Sequence, residues 1–436
     1  MRQRVQTASL GRWVDPALAY AALCGDDDNA FWLDSGPSAV AGMSYLGRAS
    51  RIVSEFGGGV LPWLRTALAA ADIDTSDAPP GFRLGWVGWL GYELRGETMG
   101  LPVRESRYPL AAFLEVERAL AFDHAAQTVT LLALDDVEGY REEVLAALAV
   151  GTAPATSSPT VGTAQWHYTD EQYLAMIADC QTAIDAGDAY QLCLTTEVSV
   201  SSRPSPLATY LALREASPTH HGALLRASGV SVLSASPERF LAVSPEGVVT
   251  TSPIKGTRPR GLTAAADDAL RAELESSEKE QAENLMIVDL MRNDIARVSK
   301  VGTVAVTSLL AVESYAQVHQ LVSTVQGELA DALTAVDAIE ACFPAGSMTG
   351  APKLSATQIL DRVENRARGI YSGAFGYLGF DGALDLAMVI RTIIIDPDGA
   401  TIGTGGGITA LSVPAEELAE ARLKAEVLLR VLGAAG

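Results

Sequence analysis

Two well-separated stretches of the sequence carry pairs of glutamates at the same spacing. Glu280 and Glu283 are three residues apart, and so are Glu417 and Glu420. Residues three apart share one face of a helix. If the two faces meet, four carboxylates converge and require a cation, and a donor set of oxygens without Cys or His favours Mg²⁺. The alternative is two solvated helix surfaces, because such pairs are common on exposed helices.

A lysine in a short, conformationally restricted segment is the second candidate. Lys255 lies between Pro253 and Gly256, and this spacing predicts a stiff turn that fixes the reach of the amine. A lysine acts as a nucleophile only when neutral, so burial or nearby positive charge must lower its pKa from about 10.4. The alternative is an exposed turn lysine.

Three further segments offer binding groups. The glycine-rich run 403–408 is predicted to be a loop before a helix that begins near Pro414, and its backbone N–H groups could bind an anion. A plain tight turn is the alternative. The segment 343–353 offers hydroxyls, including Ser347, or is an ordinary loop before a helix. His319 is either a functional residue or a buried histidine with its hydrogen bonds satisfied.

Composition limits the class of protein. The 436 residues are enough for about two or three domains, or for one large domain with a satellite. With 32 basic and 53 acidic residues the net charge is −21, which disfavours nucleic acid and anionic membranes as partners. We therefore expect neither partner, and an anionic substrate would need locally concentrated cations.

Targeting and cysteine patterns point to the cytoplasm. No run of about 18 apolar residues is present, and the N-terminal segment lacks the apolar core of a secretory signal. The four cysteines are scattered without the spacing of a zinc site. We expect a cytoplasmic protein with reduced, buried thiols.

The pattern of elements predicts an α+β fold. Residues 151–165 are uncharged and rich in Pro, Ser, Thr and Gly, as expected for a linker between an N-terminal subdomain, 1–150, and a catalytic domain, 166–436. Helices are predicted at 61–71 and, from a capping box at Thr169 and Gln172, at about 170–186. Many strands between few helices favour antiparallel sheets with helices outside. The predicted strands are 31–33, 84–90, 190–200, 230–235, 240–250, 304–312 and 388–395.

Taken together, these segments resemble the chorismate-utilising enzymes, in the same order along the chain. The resemblance covers 165–436 strongly and implies that family's layered sandwich of antiparallel sheets. Weaker similarity in the N-terminal half falls at 32–36, 44–47 and 88–92. The segments that carry the resemblance are 236–240, 253–257, 278–294, 318–327, 343–353, 369–377, 389–392 and 403–408.

Two positions select a branch within that family. Isochorismate and salicylate synthases place a water-activating lysine where this chain has Gln191, so the resemblance implies ammonia as the nucleophile. Anthranilate synthases typically have Ala where this chain has Lys255, whereas aminodeoxychorismate synthases have Lys. The expected reaction is amination of chorismate at C4, which feeds p-aminobenzoate and folate synthesis. Anthranilate synthase component I is the enzyme alternative, and a silent, tryptophan-sensing partner subunit is the non-enzyme alternative.

The resemblance also implies roles for individual residues. Neutral Lys255 would add at C2 while Glu238, a general acid with a raised pKa, protonates the departing C4 hydroxyl. Thr257 and Ser347 would bind substrate oxygens, His319 would face the ring, and Gln191 would line the site. The remaining expected ligands are Glu283 and Glu420 for Mg²⁺, Glu280 and Glu417 for Mg²⁺ through water, Lys424 with the N–H groups of Gly405, Gly406 and Gly407 for the ring carboxylate, and Tyr371 with Arg391 for the enolpyruvyl carboxylate.

Two partners follow from the same resemblance. Relatives bind tryptophan in a pocket that corresponds to Asp34, Ser35, Ser44 and Tyr45, although this chain has Asp34 where Glu is usual. Tryptophan is thus a possible inhibitor or structural ligand. No Cys-His-Glu glutaminase segment is recognisable, so ammonia is expected from a separate glutaminase subunit, and free ammonium should replace it in vitro.

Overall fold

The computed structural model describes residues 3–25, 27–151, 162–315 and 318–434. Within these ranges, no helix combines the length and apolar character needed to cross a bilayer. Most of the predicted linker, 152–161, lies outside the described residues. Its last residues are the start of a strand, Ala164–Trp166, because they pair with the strand that follows the first long helix of the C-terminal half.

The helices and strands are numbered here in chain order. The helices are α1 Pro16–Leu23, α2 Val60–Ala69, α3 Arg95–Met99, α4 Val137–Val150, α5 Asp170–Asp185, α6 Pro206–Ala216, α7 Ala264–Ser276, α8 Glu278–Ala296, α9 Ala335–Cys342, α10 Lys353–Glu364 and α11 Pro414–Val431. The strands are β1 Gln3–Arg4, β2 Gln6–Ser9, β3 Ala30–Asp34, β4 Met43–Arg48, β5 Arg51–Val53, β6 Ile73–Asp74, β7 Gly85–Leu90, β8 Ala111–Val116, β9 Arg118–Asp123, β10 Thr128–Ala133, β11 Ala164–Trp166, β12 Gln191–Val200, β13 His221–Ala227, β14 Val230–Ser236, β15 Arg239–Val243, β16 Val248–Thr251, β17 Ile254–Pro259, β18 Ala305–Ser314, β19 Val318–Glu328, β20 Gly350–Ala351, β21 Ala374–Gly379, β22 Leu384–Met388, β23 Thr392–Asp396 and β24 Gly399–Ile408.

Two large antiparallel sheets contain nearly all of these strands. The first runs in the order β11-β12-β24-β23-β14-β13-β3-β4-β9-β10-β2, with β20 also paired to β12. The second runs β17-β19-β16-β15-β22-β21-β7-β8-β5, with β18 also paired to β19. Each sheet takes strands from both sides of the predicted linker, so the two halves of the chain share their sheets. The division into an N-terminal subdomain and a catalytic domain stays a prediction.

The two sheets stack face to face, and helices cover their outer faces. Phe31 and Leu225 from the first sheet share one apolar cluster with Trp89 and Phe375 from the second. A second cluster joins the first sheet to α1, α4, α6 and α11, and a third joins the second sheet to α2, α8 and α9. Each large apolar side chain buried in these layers contributes roughly 1.5–3 kcal/mol. The predicted α+β sandwich with helices outside is confirmed.

Local signals explain several of the boundaries. Thr169 and Gln172 form the reciprocal capping box at the start of α5, as predicted, which satisfies two N–H groups that the first helical turn leaves free. The predicted helix 61–71 corresponds to α2, and the predicted strands 31–33, 84–90, 190–200, 230–235 and 304–312 correspond to β3, β7, β12, β14 and β18. All four cysteines are buried and unpaired.

Four local predictions were wrong. The run 240–250 is two strands, β15 and β16, because a turn at Ser244–Gly247 reverses the chain. The run 388–395 is divided between β22 and β23, which belong to different sheets. The supposed turn at Lys255 is strand β17, with a register shift that includes Gly256 at φ +82°. The glycine-rich loop 403–408 is part of β24, paired with β12, since its glycines allow neighbouring groups to approach closely.

Candidate active site

One member of each acidic pair lies along the buried face of its helix, α8 or α11. On α8, Glu283 precedes buried Ile287 by one turn. On α11, Glu417 is itself buried and lies one turn before buried Ala421. Residues four apart share a helix face, so Glu283 and Glu417 continue the apolar faces of α8 and α11. The Glu420 side chain is 52% exposed, so the alternative of a solvated helix surface describes that position.

Both members of the predicted direct metal pair are electrostatically coupled to lysines, but the Glu283 side chain is 21% exposed and the Glu420 side chain 52%. Burial raises the pKa of Glu283, opposed by Lys255, whose Nζ lies 3.9 Å from Glu283 Oε2. At Glu420, burial opposes ionisation, but Lys424, whose Nζ lies 2.7 Å from Glu420 Oε1, brings the net pKa below its usual value. Lys279 acts on both carboxylates.

The outer members of the two pairs have partners within the chain. Glu417 accepts a hydrogen bond from Ser412 at 2.6 Å, and Glu280 lies 3.4 Å from an Arg258 nitrogen. The charge of Glu417 also raises the pKa of Glu283, so the two helices share one electrostatic environment. Among the described residues, however, no group of three or more His, Cys, Asp or Glu side chains is arranged closely enough to hold a metal ion.

Lys255 projects from an edge strand beside α8. The Lys255 side chain is 17% exposed, so most of its stem is covered. The bulge next to it is tight, because a Cβ on Gly256 would meet Leu274 of α7 and Glu280 of α8. The strand therefore fixes the amine next to the carboxylates as firmly as the predicted turn would have done.

Glu238 lies in the short connection between β14 and β15 and is 9% exposed. Met388 donates its N–H to the Glu238 carbonyl at 3.0 Å, which fixes the connection against the second sheet. Burial raises the pKa of the Glu238 carboxyl to about 7, opposed by Lys255 and by the nearby Ser347 hydroxyl. A carboxyl in this range can donate a proton near neutral pH. The structure thus brings together the predicted acid, the predicted nucleophile and Ser347.

Tyr371 and Arg391 form the far side of the same region. Tyr371 is 6% exposed, and a Cβ on Gly403 would fall inside its ring, so glycine is required there. Burial lowers the pKa of Arg391, opposed by Tyr371 and Glu420. Arg391 has φ +51°, an uncommon conformation for a residue other than glycine. An arginine whose charge is only partly compensated is suited to bind a carboxylate.

The glycines of β24 line the candidate site between the acidic helices and the Tyr371 and Arg391 side chains. Lys424 donates a hydrogen bond to the Gly405 carbonyl at 2.9 Å, so the carbonyl of Gly405 points away from β12. In an antiparallel strand paired on one side, alternate N–H groups point to the unpaired side, which gives Gly405 and Gly407 the predicted anion-facing direction. The N–H of Gly406 points toward its partner strand β12 instead, so the prediction was wrong for Gly406. A Cβ on Gly406 would lie 3.1 Å from Glu417 Oε2, and one on Gly407 would strike the Gln191 amide. Gln191 is 1% exposed, with no partner for its Oε1 among the described residues.

Two predicted residues stand apart from this group. Thr257 has an exposed side chain on β17. His319 is buried, with its Nδ1 2.8 Å from the Ser314 hydroxyl and its Nε2 2.9 Å from Asp267. This is the buried histidine with both nitrogens bonded that the sequence left as an alternative. The catalytic roles given to Thr257 and His319 stay predictions.

The predicted tryptophan pocket is a closed polar cluster. Asp34 is 2% exposed and accepts hydrogen bonds from Arg214 at 2.6 Å, Tyr210 at 3.1 Å and Ser44 at 3.4 Å. Ser35 donates its N–H to the Ser44 hydroxyl and its own hydroxyl to Met43. Tyr45 lies elsewhere in the sandwich, where its hydroxyl accepts the N–H of Phe82 and its ring packs beside Tyr377.

Sequence reasoning missed two buried arginines. Arg214 pairs with Asp34 across 180 residues of sequence, and no local pattern indicates such a pair. Arg368 pairs with Glu364 four residues earlier. That spacing after an amphipathic segment, directly before the segment 369–377, is a signal that could have been used.

The chain belongs to the family of chorismate binding enzymes, whose family model matches residues 28–430. Among curated proteins it is 40% identical to an aminodeoxychorismate synthase of Streptomyces griseus, over 100% of this chain and 65% of the relative. An aminodeoxychorismate synthase of Streptomyces pristinaespiralis is also 40% identical, over 96% of this chain and 64% of the relative. The chain thus spans just under two thirds of the length of these two relatives.

Other relatives carry the name of the alternative reaction. An anthranilate synthase component 1 of Streptomyces coelicolor is 38% identical, over 95% of this chain and 86% of the relative. The crystal structure of anthranilate synthase component I from Streptococcus pneumoniae superposes with a TM-score of 0.79 at 29% identity, covering 97% of this chain and 98% of that one. A menaquinone-specific isochorismate synthase from Escherichia coli shares the fold, with a TM-score of 0.74 at 17% identity over 98% and 94% of the two chains.

Proposed function

We propose that this chain catalyses the Mg²⁺-dependent amination of chorismate by ammonia to 4-amino-4-deoxychorismate, a precursor of p-aminobenzoate and folate. The observation that carries the proposal is the position of Lys255, 3.9 Å from Glu283 and close enough for its charge to act on the buried Glu238. Glu238 has its pKa raised to about 7 by burial, and the charge of Lys255 acts directly on it. A nucleophile and a proton donor that influence each other in one site suit a substitution with a poor leaving group.

Substrate binding uses the charges on the opposite side of the site. Arg391 and Tyr371 bind the enolpyruvyl carboxylate, and Arg391 has an incompletely compensated charge for this purpose. Lys424 and the outward N–H groups of β24 bind the ring carboxylate. Glycine at 406 and 407 lets Glu417 and Gln191 lie close to this strand, since a Cβ there would be 3.1 Å from Glu417 Oε2 and would overlap Gln191 Nε2.

The reaction proceeds by two substitutions. Neutral Lys255 forms a bond from Nζ to ring C2, and the two ring double bonds shift to C1–C6 and C4–C5. The C4–O bond breaks as Glu238 transfers its proton, so water leaves. Ammonia then forms a bond to C4, the double bonds return to their first positions, the C2–Nζ bond breaks, and Lys255 departs as an amine. The proton released by the incoming nitrogen returns to Glu238.

The donor set fits Mg²⁺, because the two helices present carboxylates without Cys or His. We propose Glu283 and Glu420 as direct ligands, with Glu280 and Glu417 acting through water. When bound, Mg²⁺ supplies positive charge to the ring carboxylate. Lys255, Lys279 and Lys424 lower the pKa values of Glu283 or Glu420 against the effect of burial.

Ammonia is proposed to come from a separate glutaminase subunit, with free ammonium as its substitute in vitro. Tryptophan is not included in the proposal. The Asp34 carboxylate accepts hydrogen bonds from Arg214, Tyr210 and Ser44 within the chain, which leaves it little capacity for the amine of an amino acid.

Anthranilate synthesis is the second candidate, favoured by the similarity to anthranilate synthases over nearly the whole chain. Lys255 argues against anthranilate synthesis, because direct attack by ammonia at C2 needs no amine at that position. The names of the two relatives at 40% identity favour C4 amination.

Product analysis tests the proposal. Purified protein is incubated with chorismate, Mg²⁺ and ammonium, with and without an added aminodeoxychorismate lyase, and the products are identified by mass spectrometry. We expect a product that keeps the enolpyruvyl group and yields p-aminobenzoate only with the lyase. Fluorescent anthranilate formed at the rate of chorismate loss would assign the alternative reaction. A chain that leaves chorismate unchanged would refute both.

A further inference from the structure

Arg368 lies just after α10 and is 2% exposed. A guanidinium has five N–H donors, and the contacts of Arg368 account for all five. Two bonds, of 2.8 and 2.7 Å, go to the Glu364 carboxylate. The other three go to the Met348 carbonyl at 2.7 Å, the Cys193 carbonyl at 2.9 Å and the Ser372 hydroxyl at 3.4 Å.

Each of those last three partners lies within two residues of a proposed substrate-site residue. Met348 follows Ser347, a buried residue whose hydroxyl lies near the Glu238 carboxyl. Cys193 lies two residues after Gln191 on β12 and is paired in register with Gly407. Ser372 follows Tyr371 and has φ +65°. A single side chain therefore joins three segments, of which the one at Cys193 is 155 residues from Met348 and 179 from Ser372 in the sequence.

The surroundings make this junction rigid. The Arg368 guanidinium lies 4.3 Å from the centre of the Tyr92 ring. Glu364 is also bound by the N–H and the hydroxyl of Thr195, at 2.9 and 3.0 Å. Glu93 accepts the backbone N–H of Arg368 at 2.8 Å. A buried guanidinium with all donors used in a planar fork has little freedom to move.

We infer that Arg368 is a positioning residue that fixes the Ser347 turn, strand β12 at Gln191 and the Tyr371 turn relative to one another. This inference rests on the proposed function of the site those segments line. It assigns Arg368 no contact with the substrate. Its effect on turnover would come through the placement of Ser347 beside Glu238 and of Tyr371 beside Arg391.

A second buried arginine provides a matched control. Arg95 is 3% exposed, lies 5.5 Å from the same Tyr92 ring, and bonds to Asp361 at 2.5 Å and to the Pro102 carbonyl at 3.2 Å. Those partners lie outside the three segments. Arg368 and Arg95 thus share burial, an aromatic neighbour and a carboxylate partner, and differ in whether they hold the site together.

The test compares Arg368→Lys with Arg95→Lys in the full chain. Lysine keeps the charge but has three donors on a single nitrogen, so it cannot satisfy the Glu364, Met348 and Cys193 groups together. We expect Arg368→Lys to raise the KM for chorismate and to lower kcat/KM by about 100-fold per folded molecule, as for a displacement near 1 Å. Arg95→Lys should lower the melting temperature while its KM and its kcat per folded molecule stay at wild-type values.

The outcomes separate the inference from the proposed function. If the wild-type chain does not convert chorismate, the proposed function fails. If the wild type is active and Arg368→Lys has wild-type KM and kcat per folded molecule, or if Arg95→Lys shows the same KM change, the positioning role is refuted. Should Arg368→Lys not fold, Glu364→Gln replaces it, because it loosens the fork and keeps Arg368. An unchanged KM in that variant refutes the role equally.

Discussion

Two buried charged clusters in this molecule differ in how completely their polar groups are paired. In the Asp34 cluster, the carboxylate binds Arg214, Tyr210 and Ser44. In the candidate site, the charge nearest to Lys255 is 3.9 Å away at Glu283, and the buried carboxyl of Glu238 has its pKa raised to about 7. Asp34 ends β3 of the first sheet, whereas Lys255 lies on β17 of the second.

The difference follows from what each cluster must do. A buried charge costs several kcal/mol unless a partner and hydrogen bonds compensate it. The Asp34 cluster supplies that compensation within the chain. In the proposed function, an anionic substrate and a cation supply part of the compensation in the candidate site. Incomplete pairing, more than the presence of charge, distinguishes a binding site from a structural ion pair.

The largest expected effect is that of removing the Lys255 amine. Lys255→Ala should lower the rate of C4 amination by on the order of 10⁴-fold, because the covalent route is lost, as when other enzymes lose their nucleophile. Chorismate binding, measured by calorimetry, should change much less, since the carboxylate-binding groups are intact. Lys300→Ala, a partly exposed lysine paired with Glu328 and Asp331, is the control. An amination rate close to wild type in Lys255→Ala would remove Lys255 from the mechanism.

The next effect is on stability at the Asp34 cluster. Arg214→Met leaves the Asp34 carboxylate buried without its cation, so we expect a loss of about 3–5 kcal/mol in the free energy of unfolding. Urea denaturation measures it. The double variant Asp34→Asn with Arg214→Met should recover much of this loss, because no charge is then buried. For both variants kcat per folded molecule should stay at the wild-type value, and a single-variant loss below about 1 kcal/mol would contradict the pairing.

Replacing Glu238 should raise the free energy of unfolding near neutral pH, whereas replacing Arg214 should lower it. Its folded pKa, about 7, is above its unfolded value of 4.5, so the unfolded state loses its proton first as pH rises. The wild type is then penalised progressively between pH 4.5 and 7, by roughly 3 kcal/mol in total. Glu238→Gln removes that penalty, so it should be more stable than the wild type above pH 7, similar near pH 4.5, and severely impaired in amination.

Unfolding free energies of the two proteins across pH 4.5 to 8 provide the measurement. Glu142→Gln, at an exposed position on α4, should follow the wild-type curve throughout. Parallel curves for Glu238→Gln and the wild type would mean that the Glu238 carboxyl titrates as an exposed group does, and its role as the acid would lose its basis.

The features that depend on local residue spacing could be predicted from the sequence. Helical spacing indicated the Glu283 and Glu420 faces, and the capping box at Thr169 indicated where α5 begins. Resemblance selected Glu238 and Lys255. The errors concern tertiary pairing. Glycine is a weak strand former, so 403–408 was predicted to be a loop, although pairing with β12 and the Tyr371 ring against Gly403 require a strand of glycines. Arg214 could not be predicted, since its partner is 180 residues away.

The smallest expected effect tests the glycines of β24 that line the candidate site. Gly406→Ala places a methyl group 3.1 Å from Glu417 Oε2 and 4.0 Å from Lys424 Nζ, where the ring carboxylate is proposed to bind. We expect KM for chorismate to rise about 10-fold, or 1.4 kcal/mol of binding, with a small change in kcat because Lys255 and Glu238 are unaffected. Gly57→Ala is the control, since a Cβ there meets nothing within 4 Å. An unchanged KM in Gly406→Ala would mean that the substrate does not lie against this strand, and that the space its glycines leave serves only the packing of α11.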